Sequence, residues 1–285
     1  MNRTLFYNIA ASFFNVLLIV VIKLMVDASM ITPEIASFFR HVSAFLIISP
    51  FLISTLKKSP EHFIQKIPHF AMFVRGLFYA IATFLWPIVY THIPLHIAMT
   101  MGFLVPFISN ILLVIFLKEK IPNYVWISML FGVVGVLIIL RPYIHDFNKY
   151  HILALVCITF WAASATLNKF IAQKRVKVHI ALFYLTIYAS IFTSGLVFFA
   201  KISIPHNIFL PIACLGFVSV VAQFFVIKSY QTSAGYLVNT MEFVRFLMFL
   251  TADVLLFGAN LTLMTIVGSV IIGASVYYVL RRYNG

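Results

Sequence analysis

Long apolar runs, separated by short polar or proline-containing turns, follow one another along the whole chain. Most of them approach the roughly 20 residues that an α-helix needs to cross a hydrocarbon core of about 30 Å. The turns are too short to hide a soluble domain. The pattern therefore predicts ten membrane-spanning helices, at 5–27, 33–55, 70–91, 95–117, 122–141, 151–171, 180–200, 208–229, 233–257 and 261–280.

The composition agrees with a protein embedded in lipid. Hydrophobic residues make up 63% of the chain and charged residues 9%, whereas a soluble domain carries about 25% charged residues. The net charge of +13 would suit a nucleic-acid partner, but most basic residues lie in turns, where membrane topology accounts for them. We therefore predict an integral membrane protein whose surroundings are the lipid bilayer, with no nucleic-acid partner.

The basic residues also predict an orientation, because Lys and Arg accumulate in cytoplasmic loops. Ten spans place both termini on one side of the membrane. Only Arg141, Lys149 and Lys201 fall in turns on the opposite side. Both termini are therefore expected to be cytoplasmic, since twelve basic residues share their side: Arg3, Lys57, Lys58, Lys66, Lys118, Lys120, Lys174, Arg175, Lys177, Lys228, Arg281 and Arg282.

The two halves of the chain show a weak internal repeat. A shift of 140 residues sets 97–107 against 237–247 and aligns Thr100 with Thr240. Because five spans per half is an odd number, the second half must run opposite to the first, as in many transporters. We therefore predict an all-α fold of two inverted five-helix repeats around a central cavity, with boundaries 1–145 and 146–285.

One stretch, 75–142, carries a resemblance to a known family. It opens a span with Arg75-Gly76 and ends with Arg141-Pro142, and between them come Pro106, Glu119, Gly132 and Gly135. This order resembles the EamA-like branch of the drug/metabolite transporter superfamily. The resemblance implies secondary active transport by alternating access, with the cavity lined by spans 1, 3, 4, 6, 8 and 9.

The resemblance is strongest to a bacterial inner-membrane branch that includes S-adenosylmethionine uptake carriers. It implies a small-molecule substrate, for which S-adenosylmethionine is the first choice, and a proton or an exchanged metabolite as the coupling partner. A riboflavin carrier and an exporter of amino acids or drugs are alternatives within the superfamily, and a channel is the alternative outside it. The sequence has no phosphate loop, HExxH motif or metal-spaced cysteine pair, so we predict no enzyme, catalytic residue, cofactor or metal.

Glu242 and Arg245 in the ninth span are the most informative charged residues. They lie three residues apart, and therefore on one helix face, near the middle of a span where a lone charge is costly. Desolvation favours the protonated carboxyl and the guanidinium favours the carboxylate, a balance suited to substrate binding and to coupling through Glu242. The alternative is a static pair that fixes helix packing.

Arg40, several residues inside the second span, is the other buried cation. EamA-like proteins have an Arg here followed by a small residue, which Ala44 supplies. We predict that Arg40 binds substrate at the outer mouth of the cavity. The alternatives are a hydrogen bond to neighbouring helices and an ion pair with Glu34.

Aromatic residues and helix breakers complete the predicted site. Trp86, Tyr90 and Phe103 are candidates for a platform that stacks on a planar or cationic substrate, although each of them could equally serve packing. Pro87, Gly102 and Pro106 are predicted to interrupt the third and fourth spans, as gates or helix breaks. Glu119 is expected to cap the fifth helix. Its counterpart in the second half is Ala259.

Overall fold

The computed structural model describes residues 2–58, 67–141, 147–199, 209–259 and 261–284, and no β-strand occurs within these ranges. The helices are α1 (Asn2–Asp27), α2 (Pro33–Lys58), α3 (His69–His92), α4 (Leu95–Gly102), α5 (Leu104–Leu117), α6 (Asn123–Leu140), α7 (Lys149–Gln173), α8 (Val178–Phe199), α9 (Phe209–Thr232), α10 (Gly235–Thr240), α11 (Glu242–Phe257) and α12 (Leu263–Asn284).

Nine segments in the described part of the chain are long and apolar enough to cross a membrane, and α4 with α5 supplies one of them. The chain is therefore an all-α, multi-pass membrane protein. The predicted span at 233–257 is occupied by α10 and α11, which together contain Glu242, Arg245 and Asp253. These charges set that segment apart from the nine apolar ones, and its crossing of the membrane stays a prediction.

Some predicted features lie outside the described residues. They include 59–66 of the loop at 57–69, the repeat boundary between 145 and 146, and Lys201.

Helices of the first half pack mainly on helices of the second half, and the pairs are reciprocal. Helix α3 packs on α7, and its counterpart α9 packs on α1. Helix α3 also packs on α8, as α9 packs on α2. Helix α5 packs on α7, and its counterpart α11 packs on α1. The remaining large contacts, α2 with α8 and α6 with α12, each join elements at the same place in the two halves. Two inverted repeats of five spans would produce this pattern.

The broken helices repeat as well. Helix α4 gives way to α5 at Phe103, and α10 gives way to α11 at Met241. The half-helices that follow end at left-handed residues, Lys118 (φ 53°) and Gly258 (φ 65°). In both caps the next amide donates to the carbonyl six residues back, at 3.2 Å, a geometry that satisfies an otherwise unpaired helix-end carbonyl. The shift of 140 therefore relates the two caps in space.

The break predicted at Pro87 is wrong, because α3 continues through it to His92. Proline lacks the N–H that would bind the carbonyl four residues earlier, here that of Thr83. The hydroxyl of Ser37 on α2 donates to this carbonyl at 2.9 Å instead. In the fourth span the break lies directly after Gly102, and Pro106 sits in the first turn of α5, where a missing N–H costs nothing.

The orientation can be tested with reporter fusions. Reporters placed after Gly285 and within the 57–69 loop are expected to read cytoplasmic, and a reporter within 142–146 should read periplasmic as the control, because the basic residues favour that arrangement. Alkaline phosphatase and fluorescent-protein activities measure the two outcomes. A periplasmic signal at either of the first two positions would contradict the ten-span topology.

Candidate functional site

An ion pair lies at the break in the second half of the chain. Glu242 is the first residue of α11, where unpaired amides and the helix dipole favour a carboxylate. Arg245, one turn later, forms an ion pair with it through Nη1 and Oε2. The side chains are 26% and 12% exposed respectively, so the pair is largely enclosed while the carboxylate keeps some access to the cavities beside it.

An aromatic cavity adjoins this ion pair on one side. Its walls come from α1, α3, α4, α5, α7 and α11, and its volume is about 50 Å³. The rings of Trp86 and Trp161 meet edge to face with centroids 6.0 Å apart, and those of Phe103 and Phe246 do so at 5.5 Å. The predicted residues Trp86, Phe103, Gly102, Glu242 and Arg245 all line this cavity.

A second, more polar cavity of about 30 Å³ shares the ion pair with the first. Asn15, Val105 and Trp161 also line both cavities, so the charged pair lies where an aromatic and a polar compartment meet. The wall of this polar cavity adds α9 and α10 to the set of lining helices. Its polar side chains are Tyr79, Ser164, Asn168, Gln223, Tyr230 and Asn239.

The two cavities together are lined from spans 1, 3, 4, 6, 8 and 9, the set that the family resemblance implies. Within them Asn15 of α1 and Trp161 of α7 correspond under a shift of 146 residues. The repeat thus presents an amide from one half and an indole from the other. This difference makes the cavity chemically asymmetric.

A buried network joins the two broken spans. The Asn239 amide of α10 donates to Ser109 Oγ at 3.1 Å and to Asn110 Oδ1 at 2.6 Å, both on α5. The Tyr230 hydroxyl of α9 donates to Asn239 Oδ1 at 2.8 Å. These residues were not among the predicted site residues, although polar side chains within apolar runs were the available signal.

Arg40 lies beside the polar cavity and does not line it. Its Nη2 donates to the Tyr79 hydroxyl at 3.2 Å, and the guanidinium carbon is 5.9 Å from the centre of that ring. Among the described residues it makes no ion pair with Glu34 and its Nε has no partner. Tyr79, which lines the cavity, is thus the contact between Arg40 and the cavity wall, and the ion-pair alternative is wrong.

Tyr90 is fully buried but lines neither cavity, so the structure separates it from the other aromatic candidates. Its backbone carbonyl lies 3.5 Å from Lys23 Nζ. In the other half Lys169 donates to the Ser233 carbonyl at 2.5 Å. Each lysine thus binds a carbonyl at the end of the third span of its own half.

Glu119 caps a different helix from the one predicted. Its Oε1 accepts from the amides of Gly235 and Tyr236, at 2.8 and 3.4 Å, and so caps α10 in the other half rather than α6. A Cβ at Gly235 would lie 2.7 Å from Leu113 Cδ1, so a side chain at this position would require Leu113 to shift. Ala259 has no carboxylate to form the equivalent bond, so the cap is present in one half only.

Arg75 is a buried cation that the sequence analysis treated only as part of a motif. It is 1% exposed, and Nη1 donates to the Ala181 carbonyl on α8 at 3.3 Å. A Cβ at the adjacent Gly76 would lie 2.5 Å from Tyr188 Cβ. The Arg-Gly pair therefore brings α3 and α8 into close contact. Within the described ranges no cluster of His, Cys, Asp or Glu could hold a metal ion.

Comparisons with known proteins agree with this architecture. A riboflavin transporter of Brucella anthropi is 22% identical over 259 residues, which cover 88% of this chain and 89% of that protein. An S-adenosylmethionine uptake transporter of Rickettsia bellii is 30% identical over 127 residues, 42% of this chain and 41% of the relative. This chain therefore matches less than half the length of that relative.

A solved crystal structure of a protein with 14% identity superposes with a TM-score of 0.69, over 98% of this chain and 99% of the other. At that identity the likeness shows the fold alone.

Residues 2–141 match the EamA-like transporter family. Both named relatives are transporters and not enzymes. Through residues 2–141, just under half of its length, this chain is similar to the EamA-like transporter family, and it is a multi-pass membrane transporter of small metabolites.

Proposed function

We propose that the protein carries a small organic metabolite across a bacterial inner membrane by alternating access, with both termini in the cytoplasm. The substrate binds where the aromatic and polar cavities meet at Glu242 and Arg245. The observation that carries this proposal is an ion pair placed on the shared wall of two cavities, next to a helix break. A pair with a purely structural role would not need contact with either cavity.

The chemistry of these walls favours a substrate that is both charged and planar. Arg245 can bind a carboxylate, Glu242 can bind a cation, and Trp86 and Trp161 can stack on a ring or a sulfonium. S-adenosylmethionine has an amino-acid end, a sulfonium and an adenine, so it uses every one of these groups. The named relative from Rickettsia bellii supports the same choice.

The cavities of about 50 and 30 Å³ are too small for a nucleoside. Substrate entry therefore requires the helices around the ion pair to separate. Among the described residues, the contacts between the halves are packing and hydrogen bonds such as that between Asn239 and Asn110, so the halves can part there without breaking a disulfide or metal link. Such a closed state is one that alternating access includes.

Riboflavin is the second candidate substrate, because the relative of that name matches 88% of this chain. Its flat, uncharged ring would stack on Trp86 and Trp161 without using the ion pair. The two substrates therefore differ in whether they contact the ion pair. An exporter of aliphatic amino acids would use the charged pair and leave the aromatic cavity largely unused, whereas an exporter of aromatic drugs would use both.

Transport into proteoliposomes tests the proposal. Labelled S-adenosylmethionine should enter vesicles, and unlabelled S-adenosylmethionine inside should accelerate its entry, because a carrier returns faster when loaded. A channel shows no such counterflow. Riboflavin and single amino acids serve as competitors, and a trans-membrane pH step distinguishes proton coupling from exchange. Uptake of riboflavin with no effect of S-adenosylmethionine would overturn the substrate assignment.

Arg40→Lys tests the role of Arg40 at the polar cavity. An ammonium cannot reproduce the planar guanidinium that reaches Tyr79, so we expect retained expression and folding but at least a tenfold loss of uptake. Tyr79→Phe is the matched control, since it removes only the hydroxyl that Arg40 contacts. Normal uptake by well-folded Arg40→Lys protein would show that Arg40 serves packing alone.

A further inference from the structure

A large groove opens away from the two cavities at the ion pair, and none of its lining residues is shared with them. It has a volume of about 920 Å³ and lies between α2, α8, α9 and the turn that joins α7 to α8. It lies away from the helix breaks, and α9 presents different residues to the groove and to the polar cavity.

The groove is basic at one end and apolar along its length. Arg175 and Lys177 lie in the turn between α7 and α8, at the level where these helices end. Lys228 lies four residues before the end of α9, about 6 Å deeper. Below it come Phe224 and Val220, and by the rise of 1.5 Å per residue the apolar part continues for about 12 Å more.

The cations are held in place by the protein itself. The Gln231 amide on α9 donates to the Val176 carbonyl at 2.7 Å, which fixes the turn against α9. Arg175 adopts a left-handed conformation (φ 54°), and its amide donates to the Ala172 carbonyl at 3.0 Å. Lys228 Nζ lies 5.9 Å from the centre of the Phe224 ring. No Asp or Glu is among the described residues that line the groove.

We propose that this groove is a binding site for an anionic glycerophospholipid of the surrounding membrane. The phosphate lies among Arg175, Lys177 and Lys228, and an acyl chain lies along Phe224 and Val220. Basic pockets between membrane helices, near the ends of the spans, suit such headgroups. A soluble anion would use the cations but not the apolar wall, whereas a neutral lipid would use the wall but not the cations. A groove with cations at one end and an apolar wall beyond them therefore matches the shape of an acidic lipid.

Binding can be measured on the purified full-length protein in detergent. Titration with phosphatidylglycerol should raise the temperature of thermal unfolding in a saturable way, because a ligand that binds the folded state stabilises it. Phosphatidylcholine with the same chains should raise it much less, and glycerol phosphate should have no effect at the same concentration. Equal stabilisation by phosphatidylcholine would overturn the proposal, and so would full stabilisation by glycerol phosphate.

Variants locate the site. Each cation near a membrane surface contributes about fivefold to the binding of an acidic lipid. Arg175→Gln, Lys177→Gln and Lys228→Gln together should therefore weaken phosphatidylglycerol binding by roughly 100-fold. The triple variant Lys118→Gln, Lys120→Gln, Arg281→Gln removes the same charge on the same predicted side but outside the groove. An equal loss in this control would show a general charge effect and contradict the site.

A variant that keeps all the charges supplies an independent check. Val221→Trp places a large ring in the apolar part of the groove, so it should weaken phosphatidylglycerol binding at least tenfold while the cations stay in place. Native mass spectrometry can count the retained lipid on each variant. Unchanged lipid retention by folded Val221→Trp protein would exclude an acyl chain from the groove.

Discussion

Glu242→Gln is expected to give a folded protein that binds substrate but whose transport no longer responds to pH or to a counter-ion. The amide keeps the size of the carboxyl group and can still accept a hydrogen bond from Arg245, while the charge that a proton or cation would neutralise is absent. The partner variant Arg245→Gln removes the guanidinium that stabilises the ionised carboxylate. Its transport profile should therefore move to higher pH, because the carboxyl then binds a proton at higher pH.

The static-pair alternative makes a different prediction for the same residues. Breaking a buried pair by removing one partner costs roughly 3–5 kcal/mol, so both single variants would fold poorly if the pair served only packing. The charge-swapped protein Glu242→Arg, Arg245→Glu would then recover folding and transport together. If the substrate binds to both charged groups in their native positions, the swapped protein folds but does not transport.

Uptake measured across a pH series on these variants, together with thermal unfolding, separates the two cases. Asp253→Asn is the matched control, since it makes the same chemical change in the same helix, at a buried residue that lines neither cavity. Full activity with an unchanged pH profile in Glu242→Gln would remove the coupling role of this residue.

The apolar runs predict most of this fold because a membrane helix is recognisable from length and hydropathy alone. Spans that contain both a helix break and charged residues are harder to predict from the sequence. The segment formed by α10 and α11 is an example. The spacing of Glu242 and Arg245 was nevertheless enough to predict their pairing, since residues three apart on a helix are neighbours whatever surrounds them.

Features that depend on distant partners could not be read from the sequence. Pro87 fails to break α3 because Ser37, on another helix, donates to the carbonyl that the proline leaves free. Glu119 looked like the cap of the next helix, but it caps α10 and binds Gly235, 116 residues away. Similarly, Tyr90 lies one turn beyond Trp86, yet the cavity does not extend to its depth. Each outcome is decided by tertiary contacts.

Gly268→Val is expected to lose most of the folded protein. Helix α12 packs on α6 through a seam of glycines, and a Cβ at Gly268 would lie 2.4 Å from Ile139 Cγ1 and 2.6 Å from the Gly135 carbonyl oxygen. The reciprocal Cβ at Gly135 would lie 2.6 Å from Ile272 Cγ1. The two backbones therefore touch, and a side chain at either position must push the helices apart.

The cost should be large because lipid provides no hydrophobic force that would hold the helices together at a greater distance. Close packing and one buried hydrogen bond, from Ser128 Oγ to the Ser275 carbonyl at 2.6 Å, stabilise the seam, and overpacking of a tight contact costs about 1–3 kcal/mol or more. Gly268→Ala should show a smaller loss in the same direction. Gly195→Ala is the control, because no other described atom lies within 4 Å of the added Cβ on α8, and alanine favours a helix by about 1 kcal/mol over glycine.

Thermal unfolding and transport per folded molecule together make this test specific. None of the residues that line the two cavities at Glu242 belongs to α6 or α12, so the molecules of Gly268→Ala that do fold should transport at the normal rate and with the normal pH profile. The effect is thus the reverse of that of Glu242→Gln, which keeps the fold and changes the transport. A Gly268→Val protein as stable as the unmodified chain would show that α6 and α12 do not meet at this distance.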